Sequence, residues 1–222
     1  MRLTHFGHSC VLVELNGSTI LFDPGNFSHG FEGITGLDAI LVTHQHPDHV
    51  DQQRLPALVE ANPGAALYSD PQTAAQLGGA WTGVHAGDEF DIGDVHVTGT
   101  GGRHAVIHPD IPVIDNTAFL LGDAGNPARL MHPGDSLFVP EQKVDVLALP
   151  AAAPWLKISE AIDYLRAVAP RVAVPSTRRS SRTRPPASST AATRTWLPRA
   201  PSSARCRASR ASRWPDGPVS TC

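Results

Sequence analysis

The stretch Thr43-His44-Gln45-His46-Pro47-Asp48-His49 puts three imidazoles and a carboxylate within six residues of one another. It follows the apolar run Ala39-Ile40-Leu41-Val42, so the cluster sits where a strand ends and a sheet can hold it rigidly. Imidazole nitrogen and carboxylate oxygen suit borderline cations such as Zn²⁺, and a catalytic site needs a ligand set that leaves one position open. On an extended backbone His44 and His46, two apart, point the same way. Asp48 and His49 come after Pro47, which bends the chain and lets them address a second point nearby. A solvated polar loop or an adventitious His-rich tract would need neither the preceding strand nor an Asp in that slot.

Metal-competent side chains recur at later strand ends. Gly101-Gly102-Arg103-His104 follows the run Val95-His96-Val97-Thr98, with glycines that permit close backbone approach. His104 is favoured over His108 as the third ligand of a first metal. Asp135, in Gly134-Asp135-Ser136, comes shortly after Arg129-Leu130-Met131, and a carboxylate can bridge two cations through its two oxygens. Asp23 closes the run Ser18-Thr19-Ile20-Leu21-Phe22 and reads either as a partner behind the ligands or as a turn former. His8, in Gly7-His8-Ser9, reads either as a residue facing the reaction or as a structural histidine. His108 and His132 join Asp23 as candidate supports behind the ligands.

The elements that must position these residues are mostly short strands. Residues 2–22 read as two strands in a hairpin joined at Asn16-Gly17. Residues 52–61 and 71–77 read as helices with a brief strand, 65–68, between them. Residues 84–100 read as two strands around Gly87-Asp88 and Gly93-Asp94. Further strands are expected at 117–121, 129–131 and 144–149, then an amphipathic helix over 158–168 and the start of a strand at 171–174.

A net charge of -3 hides a split. Through Pro175 there are 8 Lys and Arg against 20 Asp and Glu, a net of -12; residues 176–222 carry 10 Arg and one Asp, a net of +9. All 11 histidines lie in the first part. Cys10, Cys206 and Cys222 have no spacing that suggests a disulfide framework or a Cys zinc site. No stretch approaches the length of a membrane span and Met1-Arg2-Leu3-Thr4 leads into no signal-peptide core, so a reducing cytoplasm is the default expectation.

Residues 1–175 resemble the metallo-beta-lactamase superfamily, through the His-x-His-x-Asp-His signature at His44, His46, Asp48 and His49. His104 and Asp135 match that family's next histidine and bridging aspartate. Gly7-His8-Ser9 looks most like the branch of small metal-dependent hydrolases that includes ascorbate-6-phosphate lactonase. The lack of an added substrate domain makes RNase Z or glyoxalase II less attractive. The resemblance implies an α/β (α+β) fold, a four-layer αββα sandwich with the site at one edge. It implies His44, His46 and His104 on one Zn²⁺, and Asp48, His49 and bridging Asp135 with one further histidine on a second; Mn or Fe are alternatives. It also implies a hydrolase using a zinc-activated hydroxide on an ester, lactone, amide or phosphodiester of a small molecule, with Asp48 and His8 nearest the proton transfers.

In that family the last histidine follows a strand like 171–174, in a Pro-Ile-His triplet. Here the chain reads Val174-Pro175-Ser176-Thr177, and no histidine follows His132. Residues 176–222 contain no Ile, Phe or Tyr and show no apolar periodicity, so they read as a disordered basic tail with the closing strand and helix missing. Such a tail is either an arm for nucleic acid or the product of a shifted frame. Codons chosen for residues 175–184, with one A restored after the first, translate as Pro-Ile-His-Glu-Ala-Val-Leu-Ala-His-Pro. A chain holding only one metal, or none, is the corresponding non-catalytic reading.

Overall fold

The computed structural model describes residues 1–177. The first half of this span makes one sheet, from β1 (Arg2–His5), β2 (Val11–Leu15), β3 (Ser18–Phe22), β4 (Ala39–Val42), β5 (Ala66–Ser69) and β6 (Thr82–Gly83). Helices α1 (Leu55–Glu60) and α2 (Pro71–Leu77) fall within it. The second half makes the other sheet, from β7 (Glu89–Ile92), β8 (Val95–Arg103), β9 (Asp115–Asp123), β10 (Asn126–His132), β11 (Val146–Pro150) and β12 (Val172–Ser176). Helix α3 (Ile158–Val168) connects its last two strands.

Local chemistry accounts for much of this. Asn16 and Gly17 both take positive φ, 49° and 86°, the turn that matches the twist of two antiparallel strands. In α2, Asp70 accepts from the backbone N–H of Thr73 at 3.0 Å and Pro71 opens the helix, satisfying one orphan donor and removing another. At the start of α3 the Glu160 carboxylate accepts from the backbone N–H of Lys157 at 2.8 Å, and Ala169 ends the helix in the left-handed conformation.

Three strands, not two, span residues 2–22. Gly7 and His8 both take positive φ, 97° and 46°, and fold the chain so that β1 runs back along β2. That break is invisible to apolar periodicity, because it sits in a short polar stretch. The strand whose start was expected at 171–174 forms and runs on to Ser176: β12 pairs in parallel with β11 from Val146↔Val172 to Pro150↔Ser176. It is the edge of its sheet, where the missing N–H of Pro175 costs no internal ladder bond. Ser176 and Thr177, placed in the tail by composition, are thus buried parts of the fold. The expected basic tail otherwise lies outside the described residues.

The two sheets face one another over a shared core, in which Val13, Ile20, Phe22 and Leu41 meet Val97, Phe119, Leu121 and Leu130. Leu58 of α1 packs on the outer face of the first sheet with Leu21, Ile40 and Leu67. Tyr164 and Val168 of α3 pack on the outer face of the second with Leu120, Met131 and Leu147. The result is the four-layer αββα arrangement. β4 is buried at every residue, as befits a strand covered on both faces. Among the described residues no helix is long and apolar enough to cross a membrane.

Tyr164 ties α3 to its sheet by donating to the carbonyl of Phe138 at 2.8 Å, and burial pushes its phenol well above the ordinary tyrosine range. Tyr164→Phe leaves that carbonyl unpaired and is expected to lower stability by about 1–2 kcal/mol in urea unfolding, with the slope unchanged.

Candidate metal centre

β3, β4 and β5 run parallel in one sheet, and β10, β11 and β12 in the other. Their carboxyl ends carry Asp23, Thr43, Asp135, Trp155 and Thr177, and β8 delivers His104. Carboxyl ends of parallel strands leave backbone and side chains facing one crevice, where open α/β sheets hold their ligands.

The structure brings His44, His46, His104 and Asp135 together, and beside them His8, Asp48 and His49. Within each group one ligand-capable atom per residue lies within 4.8 Å of the others. The rings of His44, His46 and His104 stand edge to face at centroid distances of 4.8 to 4.9 Å. Groups behind them set which nitrogen faces inward. Thr43 Oγ1 donates its one proton to Asp23 Oδ2 at 2.9 Å, so its contact with His44 Nδ1 at 3.0 Å uses the ring N–H and leaves His44 Nε2 as an acceptor, 3.0 Å from His46 Nδ1. His104 Nδ1 donates to the carbonyl of Ala105 at 2.6 Å. His49 Nδ1 donates to Asp23 Oδ2 at 2.8 Å.

Two consequences test whether a metal fits. The Nε2 atoms of His49 and His104 are buried and have no hydrogen-bond geometry to any neighbour, although Asp135 oxygens lie 3.2 and 3.6 Å away. Buried nitrogens left bare by an otherwise satisfied second partner are what a cation would occupy. Burial, reinforced by the nearby imidazoles, holds His44 well below the usual range, and burial lowers His46 too, so both present the neutral form that ligates. Against burial, Asp135 and Asp23 lift His49 well above that range; the His49 charge draws Asp135 well below its own. The donor set fits a divalent metal.

Asp48 completes the rim. His8 Nε2 contacts Asp48 Oδ2 at 2.9 Å, and this bond with the His8 and His49 charges outweighs burial to keep the carboxyl low. His132 stacks on Phe22 at 4.9 Å and lies 3.8 Å from Asp23 Oδ2, so it stands one layer behind. His108 is placed elsewhere: its side chain is 60% exposed and faces Asp110 at 3.7 Å on the loop between β8 and β9. Pro109 follows it and the chain turns outward there, so proximity in sequence to His104 does not bring it to the cluster.

Sequence reasoning missed two residues. Trp155 Nε1 donates to Asp135 Oδ2 at 2.8 Å; its only signal was an aromatic next to Pro154 after a strand. Thr177, with φ 51°, donates its N–H to the carbonyl of His8 at 2.9 Å and sets its hydroxyl 3.4 Å from Asp135 Oδ1.

A family model described as the beta-lactamase superfamily domain matches residues 2–177. The chain belongs to the metallo-beta-lactamase superfamily. Within it, a Mycobacterium tuberculosis protein, Rv0786c, is 68% identical over 175 residues, covering 79% of this chain and 82% of that one. A metal-dependent hydrolase of the UPF0173 group from Geobacillus thermodenitrificans is 36% identical over 107 residues, covering 44% and 46%. Among solved structures, the fold is shared with a Parabacteroides distasonis protein (TM-score 0.67, 20% identity, covering 81% and 83%). It is shared too with Igni18, a metallo hydrolase of Ignicoccus hospitalis (TM-score 0.60, 24% identity, covering 78% and 80%).

Two substitutions test the supports of this superfamily site. Asp23→Asn keeps the shape but weakens the charge behind His49, and zinc affinity is expected to fall about 10- to 100-fold in a chelator competition. At Gly25 a Cβ would stand 1.8 Å from the carbonyl oxygen of Asp48, with no flexible atom to yield. Gly25→Ala is therefore expected to cost about 2–3 kcal/mol in urea unfolding, by displacing the loop that carries Asp48 and His49.

Proposed function

We propose that this chain is a metal-dependent hydrolase of a small-molecule ester, lactone, amide or phosphodiester. The observation that carries the reading is the pair of bare, buried Nε2 atoms on His49 and His104, facing Asp135 between them. His44, His46 and His104 would hold one Zn²⁺, with Asp135 reaching towards a second bound by Asp48 and His49. Bound zinc supplies Lewis acidity, making a water acidic and polarising the scissile oxygen. Mn or Fe would fit the same oxygen and nitrogen donors.

The remaining work falls to the chain's own side chains. Asp48 is kept ionised by His8 through one oxygen, which leaves the other to orient the attacking water and take its proton. Trp155 holds one oxygen of Asp135 and so fixes its rotation about the carboxylate axis.

Thr177 decides how many metals this chain takes. On the superfamily pattern the Pro-Ile-His triplet falls on residues 175–177, and Thr177 stands beside Asp135 with a hydroxyl where an imidazole is expected. A shifted frame is supported by this placement, by the charge split, and by the family match ending at residue 177. We read the chain as written as holding one metal firmly and the second weakly.

Thr177→His in the full chain is the test. Zinc content is expected to rise from one to two per chain, and turnover on an ester and phosphodiester panel by about tenfold or more. Adding His44→Ala or Asp135→Ala should abolish both gains. Unchanged zinc content, or activity that survives His44→Ala, would overturn this assignment.

A further inference from the structure

The loop joining β8 to β9, residues 104–114, is held beside the site at its base. The His104 N–H donates to the carbonyl of Ile114 at 3.0 Å, and the Ala105 N–H donates to the carbonyl of Asp135 at 2.8 Å. Its tip closes with the Ile111 N–H on the carbonyl of His108 at 3.0 Å. Yet the loop spends its side chains on apolar groups left open: Val106 is 61% exposed, Ile111 46% and Ile107 39%. None of the three belongs to the hydrophobic clusters of the described residues.

Under the loop lies a pocket of about 270 Å³, with His46 and His104 on one side and Ile107, Ile111, Val113 and Ile114 on the others. Apart from those two histidines every lining side chain is apolar, and no Lys or Arg lines it; Arg103 lines a different pocket with Leu137 and Phe138. The surrounding charge points the same way: through Pro175 the chain carries 20 Asp and Glu against 8 Lys and Arg, which repels polyanions. Concave apolar pockets that touch a few convergent polar atoms are where small ligands bind.

We infer that this pocket takes the apolar acyl chain of an uncharged carboxylic ester or amide, delivering its carbonyl to His46 and His104. The inference rests on the hydrolase reading and narrows its substrate. At roughly 30 Å³ for each water-sized group, the pocket holds about nine such groups, enough for an acyl chain of about six carbons. In the ester case the oxygen of water adds to the carbonyl carbon and the acyl C–O bond breaks. The alcohol leaves with one proton of that water, the acid leaves as carboxylate, and the second proton goes to solvent.

The test is binding, which needs no turnover. Acetate, butyrate, hexanoate and octanoate, as product-like probes, are titrated calorimetrically into the zinc-loaded full chain. Affinity is expected to rise by up to about fourfold per methylene as far as hexanoate, since each buried methylene leaves water. In Ile107→Ser and Ile111→Ser, both exposed and so expected to fold, the dependence on chain length should flatten. A flat series in the unsubstituted chain would overturn the inference, as would bis(p-nitrophenyl) phosphate outcompeting hexanoate. So would sedimentation showing that the serine variants break a dimer without altering the series, which would make the loop a contact between copies. A steep series without ester hydrolysis by the Thr177→His chain would leave the pocket standing and remove the hydrolase reading.

Discussion

His49 lies buried between two carboxylates, with Asp23 Oδ2 at 2.8 Å on one ring nitrogen and Asp135 Oδ1 at 3.2 Å from the other. Asp23 and His49 come from the first sheet's strand ends and Asp135 from the second's, so this row of charges spans the seam between the two halves. A buried charge left without its partner costs on the order of 3–5 kcal/mol, so each member constrains where the others stand. Thr43 reinforces the row, giving both its N–H and its hydroxyl to Asp23. The same strand end positions His44 and opens the loop to His46 and Asp48.

The rest of the architecture serves that seam. The core between the sheets is dominated by apolar side chains, with the buried hydroxyls of Ser18 and Thr117 bonded to the carbonyls of Ile92 and Val84, while the histidines and carboxylates of the site gather at the edge where parallel strands end. Neutral His44 and His46 sit next to a charged His49 because their surroundings differ: the first two meet burial and other imidazoles, and the third meets two carboxylates. At the rim, the apolar loop over His46 and His104 adds a hydrophobic wall beside these polar atoms.

Much of the fold was legible in local pattern. α2 and α3 follow from a capping Asp70 and from the spacing of Ala161, Leu165 and Val168, and β2 and β3 from Asn16-Gly17. The break at Gly7 and His8 was not legible, because it interrupts no apolar run. Nor was the extension of β12 through Pro175 to Ser176, whose pairing depends on β11 rather than on its own composition. Of the site, the histidines at His44, His46, His49 and His104 stood out by type and by position after strands. His108 has the same chemistry four residues on, but its loop turns it to solvent.

The sequence by itself determined which groups with metal chemistry exist, that they follow strands, and that the composition changes near Pro175. Those are properties of neighbouring residues, and local spacing reports them. Only the tertiary structure decided that Asp23 backs His49, that His8 holds Asp48 across 40 positions, that Trp155 reaches Asp135, and that Thr177 fills a place beside it. Each of these contacts joins separate strand ends. Which ends meet is set by sheet order and by the burial of a shared core, and no run of adjacent residues encodes that meeting.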